Sequence, residues 1–256
     1  MKPIDIQRFF DQHPRILGEG AVIERLRRGG FELDPHVVNS AFIYDDTQRS
    51  AIETIFREYL DIGAQYDLPL VLSTPTWRAS RARIEAAGYG NRDLNGDNFR
   101  FLDDLRQGYG PYAEKVVICG LLSCRGNAYN PAEALGVDEA YRFHSWQARR
   151  LGETGADFLL AATLPALSEA TGLAAALAET GRPYVVSFVV RPEGTLLDGT
   201  LLKNALSAIE DAVTPGPMAF MANCTHASFL KSALAHPAHS SDHVRRRIIG
   251  LFANTA

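Results

Sequence analysis

The sequence predicts an α/β protein of the (β/α)8 TIM-barrel class, with the eighth strand missing from the 256 residues. Three observations predict it. Short apolar runs that read as strands, near residues 16, 71, 118, 159, 187, 221 and 250, alternate with helical patterns; their spacing is in the main about 30–45 residues, which suits successive β/α units. Several of these runs are apolar throughout, which implies burial on both faces and a parallel sheet covered by helices. Polar residues follow the strands at Glu19, Thr74, Thr76, Ser123, Arg125, Thr163, Arg191, Asn223 and Cys224, at the ends where a barrel places its chemistry.

Arg15–Ala21 reads as a short strand ending in Gly18-Glu19-Gly20, whose glycines allow close backbone approach and leave a carboxylate at the tip. A plain turn is the competing reading. The third glycine of a dinucleotide-binding fingerprint is absent, which disfavours that fold. Val22–Arg28 is helical, and Asp34–Tyr44 is either extended or loosely helical after the Asp34-Pro35 turn. Asp45-Asp46-Thr47 supplies capping side chains for a helix with Ile52, Ile55, Phe56, Tyr59 and Leu60 on one face. Tyr66–Pro69 breaks that helix, and Leu70–Thr74 is an apolar strand that runs into Pro75-Thr76-Trp77-Arg78.

The cadence repeats through helical Ser80–Ala87 and Asp97–Gln107, strand Lys115–Leu122, helix Asp138–Leu151 and strand Asp157–Ala162. Helix Leu167–Ala178, strand Tyr184–Val190 and a helix striped by Leu202, Ala205, Leu206 and Ile209 follow. Pro215-Gly216-Pro217 resets the chain for a strand that ends on Asn223-Cys224; helix His226–Leu234 and strand Arg247–Phe252 complete the series.

A net charge of −4 with 22% charged residues argues against a nucleic-acid surface. The Arg245-Arg246-Arg247 run reads as a solvated segment before a strand. Three cysteines in a chain of this size do not suggest a disulfide framework, so a cytoplasmic location is expected. The N-terminus has no signal-peptide pattern and no apolar run approaches the roughly 18–20 residues that span a bilayer.

Cys224 at a strand tip can be a metal ligand, a nucleophile or a small core residue. Cys119 lies inside an apolar strand and reads as core, and Cys124 as a structural thiol. His236, His239 and His243 have a spacing that binds zinc on a helix, but Pro237 and Ser240-Ser241 make a polar loop the better reading. His144 and His226 read as structural, with His226 close enough to support Cys224. Trp77, Arg78, Arg125 and Tyr129 in post-strand loops suit a ligand's cationic group and a carboxylate, or else packing and surface ion pairs.

As an ordered set, Gly18-Glu19-Gly20, Thr74–Ser80, Asp157–Pro165, Ser187-Phe188, Asp198-Gly199-Thr200 and Asn223-Cys224-Thr225 resemble the homocysteine S-methyltransferase family. That family includes the betaine–homocysteine and S-methylmethionine-type enzymes, and the resemblance covers nearly the whole chain. It implies one barrel domain over residues 1–256 and zinc-dependent methyl transfer from a sulfonium or amine donor to a thiol such as homocysteine, a step of methionine biosynthesis. It implies Zn2+ held by three cysteines: Cys224, as the catalytic and metal-binding residue, and two from a Gly-Gly-Cys-Cys motif on the last strand. Zinc lowers the pKa of a bound thiol, so that the attacking thiolate exists near neutral pH. Glu19, Gly20, Thr74, Thr76, Trp77 and Asn223 are then the substrate-binding set, and the partners are small molecules rather than nucleic acid or membrane.

Two departures qualify the resemblance. The sequence contains no Cys-Cys pair, so either a C-terminal segment is missing or the family's metal site is. Ala162 stands where the family has a Glu that holds the acceptor's ammonium, and Glu19 stands where the family has Asp. A relative with a changed acceptor and a non-catalytic barrel that binds a small ligand are the alternative readings.

Overall fold

The computed structural model describes residues 4–239 and 242–254. Among them seven strands form one sheet in the order β1-β2-β3-β4-β5-β6-β7. They are β1 (Leu17–Gly18), β2 (Leu70–Ser73), β3 (Val116–Ser123), β4 (Phe158–Leu164), β5 (Tyr184–Phe188), β6 (Ala219–Thr225) and β7 (Ile248–Ala253). The helices are α1 (Ile6–Gln12), α2 (Val22–Arg28), α3 (Asp46–Gln65), α4 (Arg81–Ala86) and α5 (Leu94–Gln107). They continue with α6 (Val137–Gly152), α7 (Leu167–Ala178), α8 (Leu202–Ala212), α9 (Ala227–Ala235) and α10 (Asp242–Arg247). Sequential strand order with helical crossovers is the TIM-barrel class that the sequence predicts.

The chain divides into two compact units, Met1–Leu121 with Glu153–Phe158, and Leu122–Gly152 with Leu159–Ala256. In the first unit β1 pairs parallel to β2 from Leu17↔Leu70, and β2 to β3 from Leu70↔Val116 to Ser73↔Cys119. Every residue of β2 is buried, which is why its sequence is apolar up to Ser73 at its end. Helix α3 begins where Asp45 caps the Gln48 N–H, and it buries Ile52, Ile55, Phe56 and Leu60. Arg106 of α5, itself buried, donates to Asp157 at 2.8 Å and to the Val116 carbonyl at 3.3 Å.

In the second unit β4, β5, β6 and β7 pair parallel in turn. Helices α6 and α7 pack closely at Gly172, where an added Cβ would lie 2.2 Å from the Val137 carbonyl and 2.6 Å from Ala140 Cβ. The Arg245–Arg247 run precedes a strand and exposes Arg245 and Arg246, as expected, and departs from the expectation at Arg247. It lies in α10, and Arg247 is drawn inward, donating to Glu210 at 2.6 Å and to the Met218 and Pro217 carbonyls at 2.7 and 2.6 Å. The helix α1, capped by Asp5, has no counterpart in the sequence expectation. Val38, with φ 61°, and the Asp34–Val38 bridge explain why the segment before α3 shows no clear period.

Candidate active site

Two strand tips in the second unit break regular pairing in the same way. On β4 the register shifts between Ala161 and Leu164, and on β6 between Asn223 and Thr225. The residues extruded there, Thr163 and Cys224, have φ of 59° and 52°, in the left-handed region that side chains other than glycine enter at a cost. A bulge re-aims a side chain and ends pairing, which is a way to put a functional group on a rigid strand.

Asn223 holds both bulges. Its Oδ1 accepts from the Thr163 N–H at 2.9 Å and from the Ser187 hydroxyl at 2.7 Å. Its Nδ2 donates to Thr163 Oγ1 at 2.6 Å and reaches Cys224 Sγ at 3.4 Å. One buried amide therefore ties β4, β5 and β6 together and orients the thiol, which is half-buried. Thr225, the next residue, is buried and accepts from the Val190 N–H at 3.1 Å. His226 caps α9 by accepting the Ser228 N–H on Nδ1 at 3.2 Å.

Cys224 opens onto a cleft of about 280 Å³ whose walls include Tyr129, Val190, Arg191, Phe229 and Asn254. The first turn of α7 secures the loops that form its lips. Asp198 Oδ2 accepts from the Leu167 N–H at 2.8 Å, tying the post-β5 loop to α7. Glu169, fully buried, accepts from the Arg125 N–H at 2.7 Å, the Leu135 N–H at 3.2 Å and His144 Nε2 at 3.0 Å, fixing both ends of the loop that carries Tyr129. Burial alone would raise the Glu169 pKa; the bonds from His144, Arg125 and Leu135 outweigh it and hold the carboxyl below its usual range.

In the first unit Glu19 sits just past β1 and accepts from the Ser73 N–H at 3.1 Å. Burial pushes its pKa up to about 7, with the bond from Ser73 opposing the rise. Gly20 lies against Tyr59, whose hydroxyl would be 2.6 Å from an added Cβ. Thr74 and Thr76 are buried and share a 2.6 Å hydrogen bond. Their hydroxyls also engage Leu121, which donates to Thr74 at 3.0 Å and accepts from Thr76 at 2.8 Å. Trp77 has Arg78 stacked 4.5 Å over its ring.

Among the described residues no group of three or more His, Cys, Asp or Glu side chains gathers as a metal site would require. Cys119 is buried in β3, where burial and then the neighbouring Glu19 raise its pKa. Cys124 is buried and directs its thiol to the Gly126 carbonyl at 3.6 Å. The histidine trio forms no common ligand set: His236 ends α9 with its ring 5.6 Å from that of His239, His239 is buried on the Gly194 carbonyl at 2.7 Å, and His243 pairs instead with Glu210 at 2.9 Å. One thiol at the β6 tip is a poor fit to a thiolate zinc site, which takes three or four protein donors.

Sequence reasoning missed Glu169 as part of this site, and it drew on Ser187 only within the family resemblance, without a role. The available signals were a serine inside the apolar run Tyr184–Val190 and a lone acid among the alanines and leucines of α7.

A sequence model described as homocysteine S-methyltransferase matches residues 16–255. The chain is 25% identical over 224 residues to the homocysteine S-methyltransferase YbgG of Bacillus subtilis (strain 168), covering 80% of this chain and 68% of the relative. It is 25% identical over 242 residues to a homocysteine S-methyltransferase of Escherichia coli (strain K12), covering 90% and 76%. The crystal structure of the homocysteine methyltransferase MmuM from Escherichia coli in its metallated form has the same fold, with a TM-score of 0.79 at 22% identity over 98% of this chain and 96% of that one. Its oxidised form gives 0.77 at 21% identity over 96% and 94%.

Proposed function

Because the chain belongs to the homocysteine S-methyltransferase family, we propose that it moves a methyl group from a sulfonium or methylated-amine donor to a thiol such as homocysteine, with methionine as product in that case. The observation that carries the site assignment is the clamp by which Asn223 holds Cys224 at a bulged strand tip facing a cleft. In the transfer an S–C bond forms as the donor's S–C or N–C bond breaks, and the acceptor's thiol proton leaves to solvent. The protein's contribution is alignment of the two reactants and removal of water from between them. The clamp supplies a rigid thiol-facing surface, and the loops fixed by Glu169 and Asp198 supply the walls.

Glu19, Gly20, Thr74, Thr76, Trp77 and Asn223 are the substrate-binding residues of this reading. Support differs among them. Glu19 has a carboxyl that titrates close to neutrality, while the two threonine hydroxyls are engaged with the main chain of Leu121 and act by shaping the β2 tip. A metal is suggested by the relative solved in a metallated form, and zinc is the ion a cysteine favours. Cys224 is the ligand this reading assigns. Among the described residues no group of three His, Cys, Asp or Glu side chains gathers around an ion, so these residues alone do not fit it. A cytoplasmic location agrees with three free cysteines, and no helix among the described residues is long and apolar enough to cross a membrane.

The test is incubation of the protein with homocysteine and a methyl-labelled sulfonium or betaine-type donor, followed by mass spectrometry. Labelled methionine that disappears with Cys224→Ser supports the reading. Absence of any methylated thiol with both donor classes overturns it.

A further inference from the structure

The cleft at Cys224 gathers hydrogen-bond donors and no acid. Its lining includes the Arg191 guanidinium, the His226 ring and the Asn254 amide, and no aspartate or glutamate. The first turn of α9 engages His226 Nδ1, which accepts the Ser228 N–H at 3.2 Å and lies 2.6 Å from the Ser228 hydroxyl, so Nε2 carries a ring proton and is a donor. Arg191 is exposed, its main-chain N–H bonds to the Thr195 carbonyl at 2.8 Å, and among the described residues no acid pairs with its guanidinium. Glu193 on the same loop is exposed and does not line the cleft. The remaining wall is apolar or aromatic, from Tyr129, Pro192 and Phe229 among others.

A permanently charged fork beside two further donors attracts an anion and repels an ammonium. The guanidinium geometry matches a carboxylate through two parallel hydrogen bonds, and the apolar wall suits a short carbon body. The cleft volume of about 280 Å³ is at the small end of ligand sites. We propose that this cleft binds a small organic carboxylate, anchored by Arg191 and completed by His226 and Asn254, with its other end toward Cys224. The proposal rests on the reading of this cleft as the transferase's substrate cleft. It narrows the substrate held there to a molecule recognised through its carboxylate, with no counter-charge for an amino group.

Alkylation of Cys224 tests this without methyl transfer. Iodoacetate carries the carboxylate and iodoacetamide is its neutral counterpart; each forms an Sγ–C bond, expels iodide and releases the thiol proton to solvent. Cys119 and Cys124 are buried, so modification of the folded chain is read at Cys224 by peptide mass spectrometry. The iodoacetate rate is expected to saturate with concentration. Arg191→Gln makes it linear and about tenfold slower at low concentration, as loss of a charge-assisted hydrogen bond implies, and changes the iodoacetamide rate less than about twofold, the margin left for a contact not made to the neutral reagent. Butyrate protects the wild type, whereas butylamine and inorganic phosphate do not.

Linear iodoacetate kinetics in the wild type, equal effects of Arg191→Gln on both reagents, or protection by butylamine or phosphate equal to that by butyrate would each overturn the proposal. Saturation that depends on Arg191 in a protein that transfers no methyl group supports the carboxylate site while removing the transferase reading. Methyl transfer unaffected by Arg191→Gln, with non-saturating alkylation, does the reverse.

Discussion

Replacement of Glu169 tests how the cleft is held open. Gln at this position keeps the size but exchanges one oxygen for an NH2 group. Glu169 accepts main-chain N–H bonds on both oxygens, from Arg125 on Oε1 and Leu135 on Oε2. Whichever way the amide turns, its NH2 faces an N–H. A buried donor left without a partner costs about 1–3 kcal/mol. Glu169→Ala abandons His144 as well, and loss of one member of such a buried network costs about 3–5 kcal/mol. At about 2–4 °C per kcal/mol for a chain of this length, the thermal midpoint falls by about 2–12 °C for Gln and about 6–20 °C for Ala. Amide exchange should speed up at Arg125 and Leu135 before it does elsewhere. The effect also depends on pH. A carboxyl held below its unfolded value stabilises the fold above that value, about 4.3 for a free Glu, and the contribution fades as pH falls through the folded value. Glu169→Gln should therefore narrow its deficit in acid. A Gln variant within 0.5 kcal/mol of wild type at pH 7, smaller than the cost of one orphaned buried donor, with unchanged exchange at both amides, would refute the strut.

Other perturbations follow from the same geometry. Glu19→Gln removes a carboxyl raised to about 7. Because a raised acid contributes stability below its unfolded pKa and loses it as pH rises through 7, the variant should gain about 1–3 kcal/mol relative to wild type between pH 5 and 8; urea midpoints that move in parallel across that range would count against the shift. Gly172→Ala should destabilise by about 1–3 kcal/mol despite the better helix propensity of Ala, since its Cβ meets the Val137 carbonyl; a melt at or above the wild-type temperature would show that α6 and α7 can separate without cost. Asn223→Ala removes bonds to Thr163 and Ser187 and contact with Cys224, so methyl transfer should drop about 100-fold from lost positioning; Asn223→Asp, which keeps the acceptor oxygen, should retain more.

Strand positions and the barrel class were legible because a fully buried strand such as β2 is written as an apolar run, Leu70–Leu72, that turns polar only at its tip. Helix α3 was legible through its Asp45 cap and its apolar stripe. The Asn223-Cys224 tip could be found as a polar pair ending such a run. What joins that tip to its surroundings was not legible. Thr163 and Ser187 meet Asn223 from strands 60 and 36 residues away, a distance over which no local period carries information. Arg247 is a further case: within a run of three like charges nothing distinguishes the one that folds inward over Phe220, 5.5 Å from its ring, from the exposed pair. His144 reads as an ordinary helix residue until Glu169, on the next helix, is placed 3.0 Å from it.

The left-handed backbone at Cys224 has a consequence for laboratory evolution. Glycine and asparagine occupy φ near 52° with less penalty than cysteine does. Selection for heat tolerance alone would therefore reward Cys224→Gly, by up to about 1 kcal/mol, and so discard the thiol. A screen that counts survivors after heating would enrich chains without the thiol, and on the function proposed above those chains would lose methyl transfer. Under that proposal durability and activity make opposite demands on one codon, and only a selection scored on both will keep the cysteine.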